Sequence, residues 1–419
     1  MEWTRRALVK GGALTLLSLS LGGTPPFLGR VARAAANTRR RVLVTLFQRG
    51  AMDGLMAVTP VDDPALAAAR PGLFMNVTDA ASGLTDLDGR FALHPGFAAL
   101  VPLYREGRLA VVHGVGSTYK TRSHFDAQDY MENGTPGVKG TSSGWLNRAA
   151  GLLRHTGTAV RSVALADKLP RSLYGERPAI ALDDLSSFGV QVPENLRNSD
   201  KLRSGFASMY GASAKRLVRR VGRESFEAIE VLRGVDWNEY RPAHGAAYPD
   251  SDLGRRMRQV AMLIKSGVGL EVAFTETGGW DTHVRQGTAS GAFAARAADL
   301  SGAITAFWTD LGSFQDDVVL LTMTEFGRTV HENGSLGTDH GRASCLFVLG
   351  NRVDGGKVHG TVPDRLVVDA LEDGRDLPVT TDFRSVFAEV AGRHLNIPRS
   401  EDGVVFPEWE GGRFRLMGG

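Results

Sequence analysis

Short runs of consecutive apolar residues recur along the chain and predict buried strands. The first, VLVTLF at residues 42–47, is nearly continuous rather than alternating. Strands that are buried on both faces, as in parallel sheets, have this pattern. The other runs are residues 109–112 and the segments RSVALAD, RPAIAL, LEVAFTET, DVVLLTM and CLFVLG.

Helical patterns separate these runs. Residues 213–233, 252–265 and 289–311 have helical periodicity. Two shorter helices are predicted in SHFDAQDYMENG, capped by Ser123, and in TTDFRSVFAEV, capped by Thr381 or Asp382. Strands that alternate with helices predict an α/β layered fold with a mostly parallel sheet.

Domain organisation follows from the absence of any linker-like stretch. No segment is rich in proline or serine, so residues 37–419 are predicted to form one α/β domain. Residues 182–248 are more helical and more polar, and we expect a helical insertion or a cap over the sheet there.

Residues 1–36 have the organisation of an export signal. The paired Arg5-Arg6 precedes an apolar run, and small residues follow at 31–36. This order is similar to a twin-arginine signal, whose export machinery carries folded proteins. A membrane anchor is the alternative, but the run is short and rich in glycine. We therefore expect a periplasmic or secreted protein with no stable membrane span after cleavage.

Composition and charge are those of a globular protein, with 42% hydrophobic and 23% charged residues. The formal charge of +3 falls to about −1 without residues 1–36, which hold five basic residues and one acidic residue. This balance gives no support for nucleic-acid binding. The lone Cys345 excludes an internal disulfide and cysteine-based zinc sites, so any metal must be held by other side chains.

Acidic side chains follow three of the predicted strands. They are Asp53 after the first strand, Asp281 with His283 in GGWDTH, and Glu325 in TMTEFGR. Because parallel strands end at one edge of a sheet, we expect these groups to meet there. Clustered carboxylates repel one another unless a cation lies among them. The sequence thus predicts one or two divalent metal ions, with Zn, Mn, Mg and Ca left open.

The loop GTDHG adds Asp339 and His340, which a glycine turn can aim at one point. Each candidate also has an ordinary structural interpretation. Asp53 and Asp281 can be turn or capping residues, and Glu325 can pair with Arg328 or Arg49. The metal interpretation is favoured by the whole set, because independent turns need not all follow buried strands.

Ser123 is the candidate nucleophile, since it begins a helix whose N-terminal N–H groups attract anions. Its ordinary role would be a helix cap, and local sequence favours that role. Arg122 and Arg49 are the predicted partners for the charge of an anionic group.

Several segments together resemble one family. LFQRGAMDGL, SHFDAQDYMENG, GGWDTH, TEFGRT, GTDHGRA and TTDFRSVFAEV occur in this order. With the signal, they resemble the exported bacterial family called domain of unknown function 1501, which is similar in fold to the alkaline phosphatase and sulfatase superfamily. The resemblance implies a three-layer, doubly wound, alkaline-phosphatase-like sheet with a metal site and a hydroxyl or formylglycine nucleophile.

The resemblance carries over residue by residue. Asp53 matches the acidic ligand after the first strand, Ser123 the nucleophile, and Asp281 with His283 the Asp/His pair of one metal. Glu325 and Phe326 stand where the superfamily has Asp-His, so His340 with Asp339 would supply the later ligand. No cysteine lies in the formylglycine pattern, which argues against ordinary sulfatase chemistry.

The expected function is a metal-dependent hydrolase of small phosphate or sulfate esters. The alternative is a non-catalytic exported binding protein with a degraded metal site, which Phe326 favours. A third possibility is a carbohydrate-modifying enzyme that uses paired carboxylates without metal.

Overall fold

The structure is a computed structural model that describes residues 40–155, 157–185, 231–232 and 239–418. The predicted signal at 1–36 lies outside the described residues. So do most of the predicted insertion at 182–248 and, apart from residues 231 and 232, the predicted helix at 213–233.

The strands of the described chain include every apolar run that the sequence pattern marks. They are β1 (Val42–Gln48), β2 (Val58–Pro60), β3 (Thr85–Asp86), β4 (Phe91–Leu93), β5 (Leu109–Gly116), β6 (Ser162–Leu165), β7 (Ile180–Leu182), β8 (Val272–Thr277), β9 (Val318–Met323), β10 (Arg328–Glu332), β11 (Thr338–His340), β12 (Ser344–Leu349), β13 (Val358–His359) and β14 (Thr381–Asp382).

The helices confirm the predicted periodic segments that fall within the described ranges. They are α1 (Gly54–Ala57), α2 (Pro64–Ala69), α3 (Val101–Arg105), α4 (His124–Asn133), α5 (Trp145–Gly151), α6 (Asp252–Lys265), α7 (Ala292–Leu311), α8 (Phe383–Leu395) and α9 (Asp402–Val405). Ser123 caps α4 and Asp382 caps α8, as predicted. Among these helices, none has the length and apolar content needed to cross a membrane.

The central sheet confirms the prediction of a largely parallel α/β fold. Its strand order is β13-β5-β12-β9-β1-β8-β6-β7, with β14 also paired to β5. Strands β9, β1, β8, β6 and β7 are mutually parallel. Strand β12 is antiparallel to both β9 and β5. It starts at the edge where β9 ends, after the β10–β11 hairpin, so the chain can return without a crossover helix.

Helices lie against both faces of this sheet. Alternate residues of β1 point to opposite sides, as in any strand. Val44 and Leu46 pack in a core with residues of α6 and α7, whereas Leu43 and Phe47 pack in a second core with residues of α5 and α8. The layer order is helices, sheet, helices, which explains why β1 has a continuous apolar run.

Candidate metal centre

One edge of the sheet collects most of the chemistry-bearing loops. Strands β1, β8 and β9 are parallel and in register at their ends, where Gln48 pairs with Thr277 and Phe47 with Met323. Strand β5 runs in the same direction, because β12 is antiparallel to both β5 and β9. The loops that follow β1, β5, β8 and β9 and the hairpin that precedes β12 therefore meet at this edge.

Three imidazoles converge there on one carboxylate oxygen, Asp281 Oδ1. Its distances are 3.1 Å to His283 Nε2, 3.2 Å to His340 Nε2 and 3.4 Å to His124 Nε2. The Nε2 atoms of His283 and His340 are 2.8 Å apart. We call these four residues the His/Asp centre.

Each imidazole is held at its other nitrogen, Nδ1, by an oxygen acceptor. The pairs are His124 with Glu325 Oε1 at 2.7 Å, His340 with the Arg122 carbonyl at 2.9 Å, and His283 with Asp339 Oδ1 at 3.0 Å. Carbonyls and ionised carboxylates only accept, so Nδ1 carries the proton in each pair. In the neutral ring, Nε2 then presents a lone pair towards the centre.

Three lone pairs and one carboxylate oxygen at this distance repel one another unless a proton or a metal ion lies between them. His124 Nε2 is buried and has no hydrogen-bond partner in the described chain. One donor atom from each of His124, Asp281 and His340 lies within 4.8 Å of the other two, and His283 Nε2 adds a further donor beside Asp281 and His340. Histidine-rich donor sets suit Zn, Cu, Fe and Ni better than Mg or Ca. These residues therefore form a candidate metal site.

Arg328 holds Asp281 in its charged form. Its side chain is fully buried, contacts Asp281 Oδ1 at 2.5 Å and donates to four backbone carbonyls. Burial acts to raise the pKa of Asp281, but hydrogen bonding and charge from Arg328 outweigh it and lower this pKa to about 2. Asp281 is consequently an anion across the physiological pH range.

The histidines differ in their affinity for protons. The hydrogen bond that His124 donates to Glu325 raises the pKa of His124, against the opposing effect of burial. Burial lowers the pKa of His340. Hydrogen bonds from Asn333 and His283 lower the pKa of Asp339 against the opposing effect of partial burial, so it remains a charged acceptor. Metal binding to such a set releases any proton that Nε2 carries.

A family model for the "Protein of unknown function (DUF1501)" matches residues 40–405 of this chain. The chain belongs to the DUF1501 family. No curated protein matches it. Among solved structures, it is similar to the PsFucS1 sulfatase from Pseudoalteromonas sp., with 11% identity, a TM-score of 0.31, and coverage of 80% of this chain and 69% of that one. A TM-score this low does not establish a shared fold.

Glu325 of this DUF1501 protein lies behind His124 rather than within the centre. It is completely buried, and its Oε1 accepts from the Gly50 N–H at 2.9 Å and from Gln128 Nε2 at 2.9 Å as well as from His124. Burial acts to raise its pKa, but these hydrogen bonds outweigh it and lower the pKa. The geometry makes Glu325 an acceptor that orients the His124 ring, whereas the sequence predicts it as a metal ligand.

Asp53 is not brought to the centre either. Its carboxylate is buried in an ion pair with Arg70 at 2.8 Å and accepts from Gln286 at 2.8 Å. It also caps α1 through the Met56 N–H. Both oxygens are thus used inside the protein, because a buried guanidinium requires a counter-ion. Asp53 is therefore left out of the candidate ligand set.

The predicted catalytic residues lie around the centre in different settings. Ser123 is exposed, immediately precedes His124 and accepts from the Asp126 N–H at 3.4 Å as the cap of α4. Arg122 contributes its carbonyl to His340, while its guanidinium pairs with the buried Asp376 at 2.5 Å. Arg49 lies further from the centre, and its guanidinium donates to Glu276, Gln128 and Glu132.

His124 is a candidate ligand that is absent from the set predicted by the sequence analysis. The signal was present: it directly follows Ser123 at the start of a helix that comes after a buried strand. Phe326 packs against the rings of His124 and His340 with centroids 5.0 and 5.1 Å away. It forms a wall of the centre.

Proposed function

We propose that this protein is an exported hydrolase of small phosphate or sulfate esters that holds one divalent transition-metal ion in the His/Asp centre. The observation that carries the proposal is the convergence of three imidazole Nε2 atoms on Asp281 Oδ1, each ring held at Nδ1. The imidazole rings do not need to reorient when a metal binds, because the acceptors at Nδ1 already hold them in place.

Such an ion, when bound, polarises an ester oxygen and lowers the pKa of a coordinated water or hydroxyl. The chain supplies the rest of the chemistry. The centre is partly open to solvent, since its four side chains are between 22% and 46% exposed, although the Nε2 atom of His124 is itself buried. A substrate can therefore reach the centre directly.

An anionic substrate is favoured by the helix beside the centre. α4 has ten residues, and the N–H groups of its first turn lie next to His124. A helix N-terminus attracts negative charge through these groups and the helix dipole. Arg122, whose side chain is 40% exposed, adds a guanidinium next to the same turn. These features support a phosphate or sulfate group as the part of the substrate that is recognised.

An alkaline-phosphatase-like relationship and twin-arginine export belong to the same proposal. A parallel sheet with helices on both faces and a site at its carboxyl edge support the relationship. The site is nevertheless proposed to hold one ion, because Asp53 and Glu325 are used by Arg70 and His124. Export rests on the Arg5-Arg6 signal and on its interaction with the twin-arginine machinery.

The test is metal removal and reloading of the mature protein with a panel of phosphate and sulfate esters. Turnover should disappear with the metal and return when Zn or another transition metal is added. Turnover that chelators do not affect would instead support a metal-free carbohydrate enzyme. A protein that binds no metal and cleaves no ester would support the binding-protein alternative.

Ser123 can be tested separately with two substitutions that treat the helix cap differently. Ser123→Ala removes both the hydroxyl and the cap, whereas Ser123→Asn keeps a capping side chain. If Ser123 is the nucleophile, both variants should lose about 10²-fold or more in kcat. Only the alanine variant should lose stability, by about 1 kcal/mol. Full turnover in Ser123→Asn, measured beside its urea unfolding curve, would reduce Ser123 to a cap.

A further inference from the structure

A line of hydrogen bonds runs from Arg49 through Gln128 and Glu325 to His124 of the His/Asp centre. We call this line the relay. Arg49 Nη1 donates to Gln128 Oε1 at 2.9 Å, Gln128 Nε2 donates to Glu325 Oε1 at 2.9 Å, and Glu325 Oε1 accepts from His124 Nδ1 at 2.7 Å. The sequence separations between these residues are large, apart from the single turn of α4 that joins His124 to Gln128.

The donor direction along this line is set by Arg49. A guanidinium has only donors, so the Gln128 atom that faces it must be the oxygen. The amide nitrogen of Gln128 then faces Glu325, where it can donate to the carboxylate. Without Arg49, the Gln128 amide loses the donor that favours this orientation. A flipped amide would place its oxygen against the Glu325 carboxylate.

Arg49 is itself held firmly. Its guanidinium contacts Glu132 at 2.8 Å and Glu276 at 2.6 Å, and it lies over the ring of Phe47. Glu132 is buried and also accepts from the Ser172 N–H. The acidic partners and the aromatic face engage the Arg49 guanidinium within the protein, whereas the sequence predicts that it contacts the substrate.

We propose that Arg49 and Gln128 are positioning residues that set the metal affinity of the His/Asp centre through Glu325 and His124. The inference rests on the metal site of the proposed function and does not require that the protein hydrolyse esters. Its physical basis is that Glu325 Oε1 receives three donors and so has one preferred position. That position fixes the ring of His124 and the direction of its buried Nε2.

The experiment measures the affinity of the full mature chain for Zn by competition with a chromophoric chelator, and for Co by its absorption spectrum. Gln128→Met keeps the length of the side chain and removes both hydrogen bonds. It should bind Zn about 10- to 100-fold more weakly, which is the usual effect of removing the hydrogen-bond partners that orient a metal ligand. Arg49→Met should weaken binding in the same direction. The Co spectrum should change as well, which a purely structural role would not require.

Asp129→Asn is the matched control, since Asp129 follows Gln128 on α4 and pairs with Arg171 instead. It should keep the wild-type Zn affinity. If Arg49→Met fails to fold, because Glu132 loses its partner, Gln128→Met still decides the question. Equal Zn affinity in wild type and Gln128→Met would overturn the relay while leaving the metal centre intact.

A wild-type chain that binds neither Zn nor Co would overturn both the relay and the proposed metal centre. Wild-type metal binding that weakens in Gln128→Met, together with no turnover on any ester, would support the relay and reject the hydrolase. These outcomes therefore distinguish failure of the relay from failure of the proposed metal centre and from failure of the proposed hydrolase activity.

Discussion

Replacing His340 with alanine is expected to remove metal binding and ester turnover together. The substitution deletes one of the four donors of the His/Asp centre and leaves the remaining Nε2 atoms and Asp281 without a complete set. If the bound ion contributes about 4 kcal/mol to stabilising the transition state, kcat/KM should fall on the order of 10³-fold. Metal content by mass spectrometry and kcat/KM on the best ester measure the two effects.

The control is His331→Ala in the neighbouring strand β10. His331 is exposed and lies outside the centre, so its variant should keep both metal and turnover. His340 is a better choice than Asp281, because removing Asp281 also leaves the buried Arg328 without its carboxylate. A His340→Ala protein that is folded, holds the wild-type metal content and turns over normally would contradict the assigned ligand set.

Replacing Asp53 with asparagine is expected to destabilise the fold rather than the metal site. Asp53 neutralises Arg70, whose side chain is 2% exposed, and breaking a buried ion pair from one side costs about 3–5 kcal/mol. Urea unfolding of the metal-free protein should therefore show a loss of that size. The folded variant should bind the metal as tightly as the wild type does.

A double-mutant cycle separates the ion pair from other roles of Asp53. Arg70→Met alone leaves the carboxylate buried and unpaired, whereas Asp53→Asn with Arg70→Met removes both charges. The double variant should be less destabilised than the sum of the single variants. Weakened metal binding in Asp53→Asn, with little change in metal-free stability, would instead make Asp53 the ligand that its sequence position predicts.

The strand ends could be predicted because a strand that is buried on both faces has a nearly continuous apolar sequence. Runs such as 42–47 and 318–323 contain few polar residues, and a parallel sheet whose carboxyl edge carries the functional loops follows from them. The sequence predicts that His283 and Asp281 point to the same side of the chain. It also predicts that a glycine turn directs Asp339 and His340 at one point. In the structure His283 contacts all three of these groups.

The roles of Asp53 and Glu325 could not be read in the same way. An acid after a buried strand has the same sequence appearance whether its partner is a cation, a buried arginine or a histidine. The partners that decide, Arg70 for Asp53 and His124 for Glu325, are 17 and 201 residues away along the chain. Only the packing of the loops brings them together.

The roles of Arg49 and of strand β12 depended on tertiary structure for similar reasons. An arginine after a strand is equally suited to a substrate anion or to protein carboxylates, and Glu132 and Glu276 take it here. The apolar run of β12 marks a buried strand without revealing its direction. The preceding β10–β11 hairpin makes it antiparallel.

The most direct measurement is anomalous X-ray diffraction from crystals of the metal-loaded mature protein, collected on both sides of the absorption edge of the metal. The central claim predicts one anomalous peak per chain, bonded to Asp281 and to the Nε2 atoms of His124, His283 and His340. No peak at that position, or a peak held by Asp53 and Glu325 instead, would contradict it.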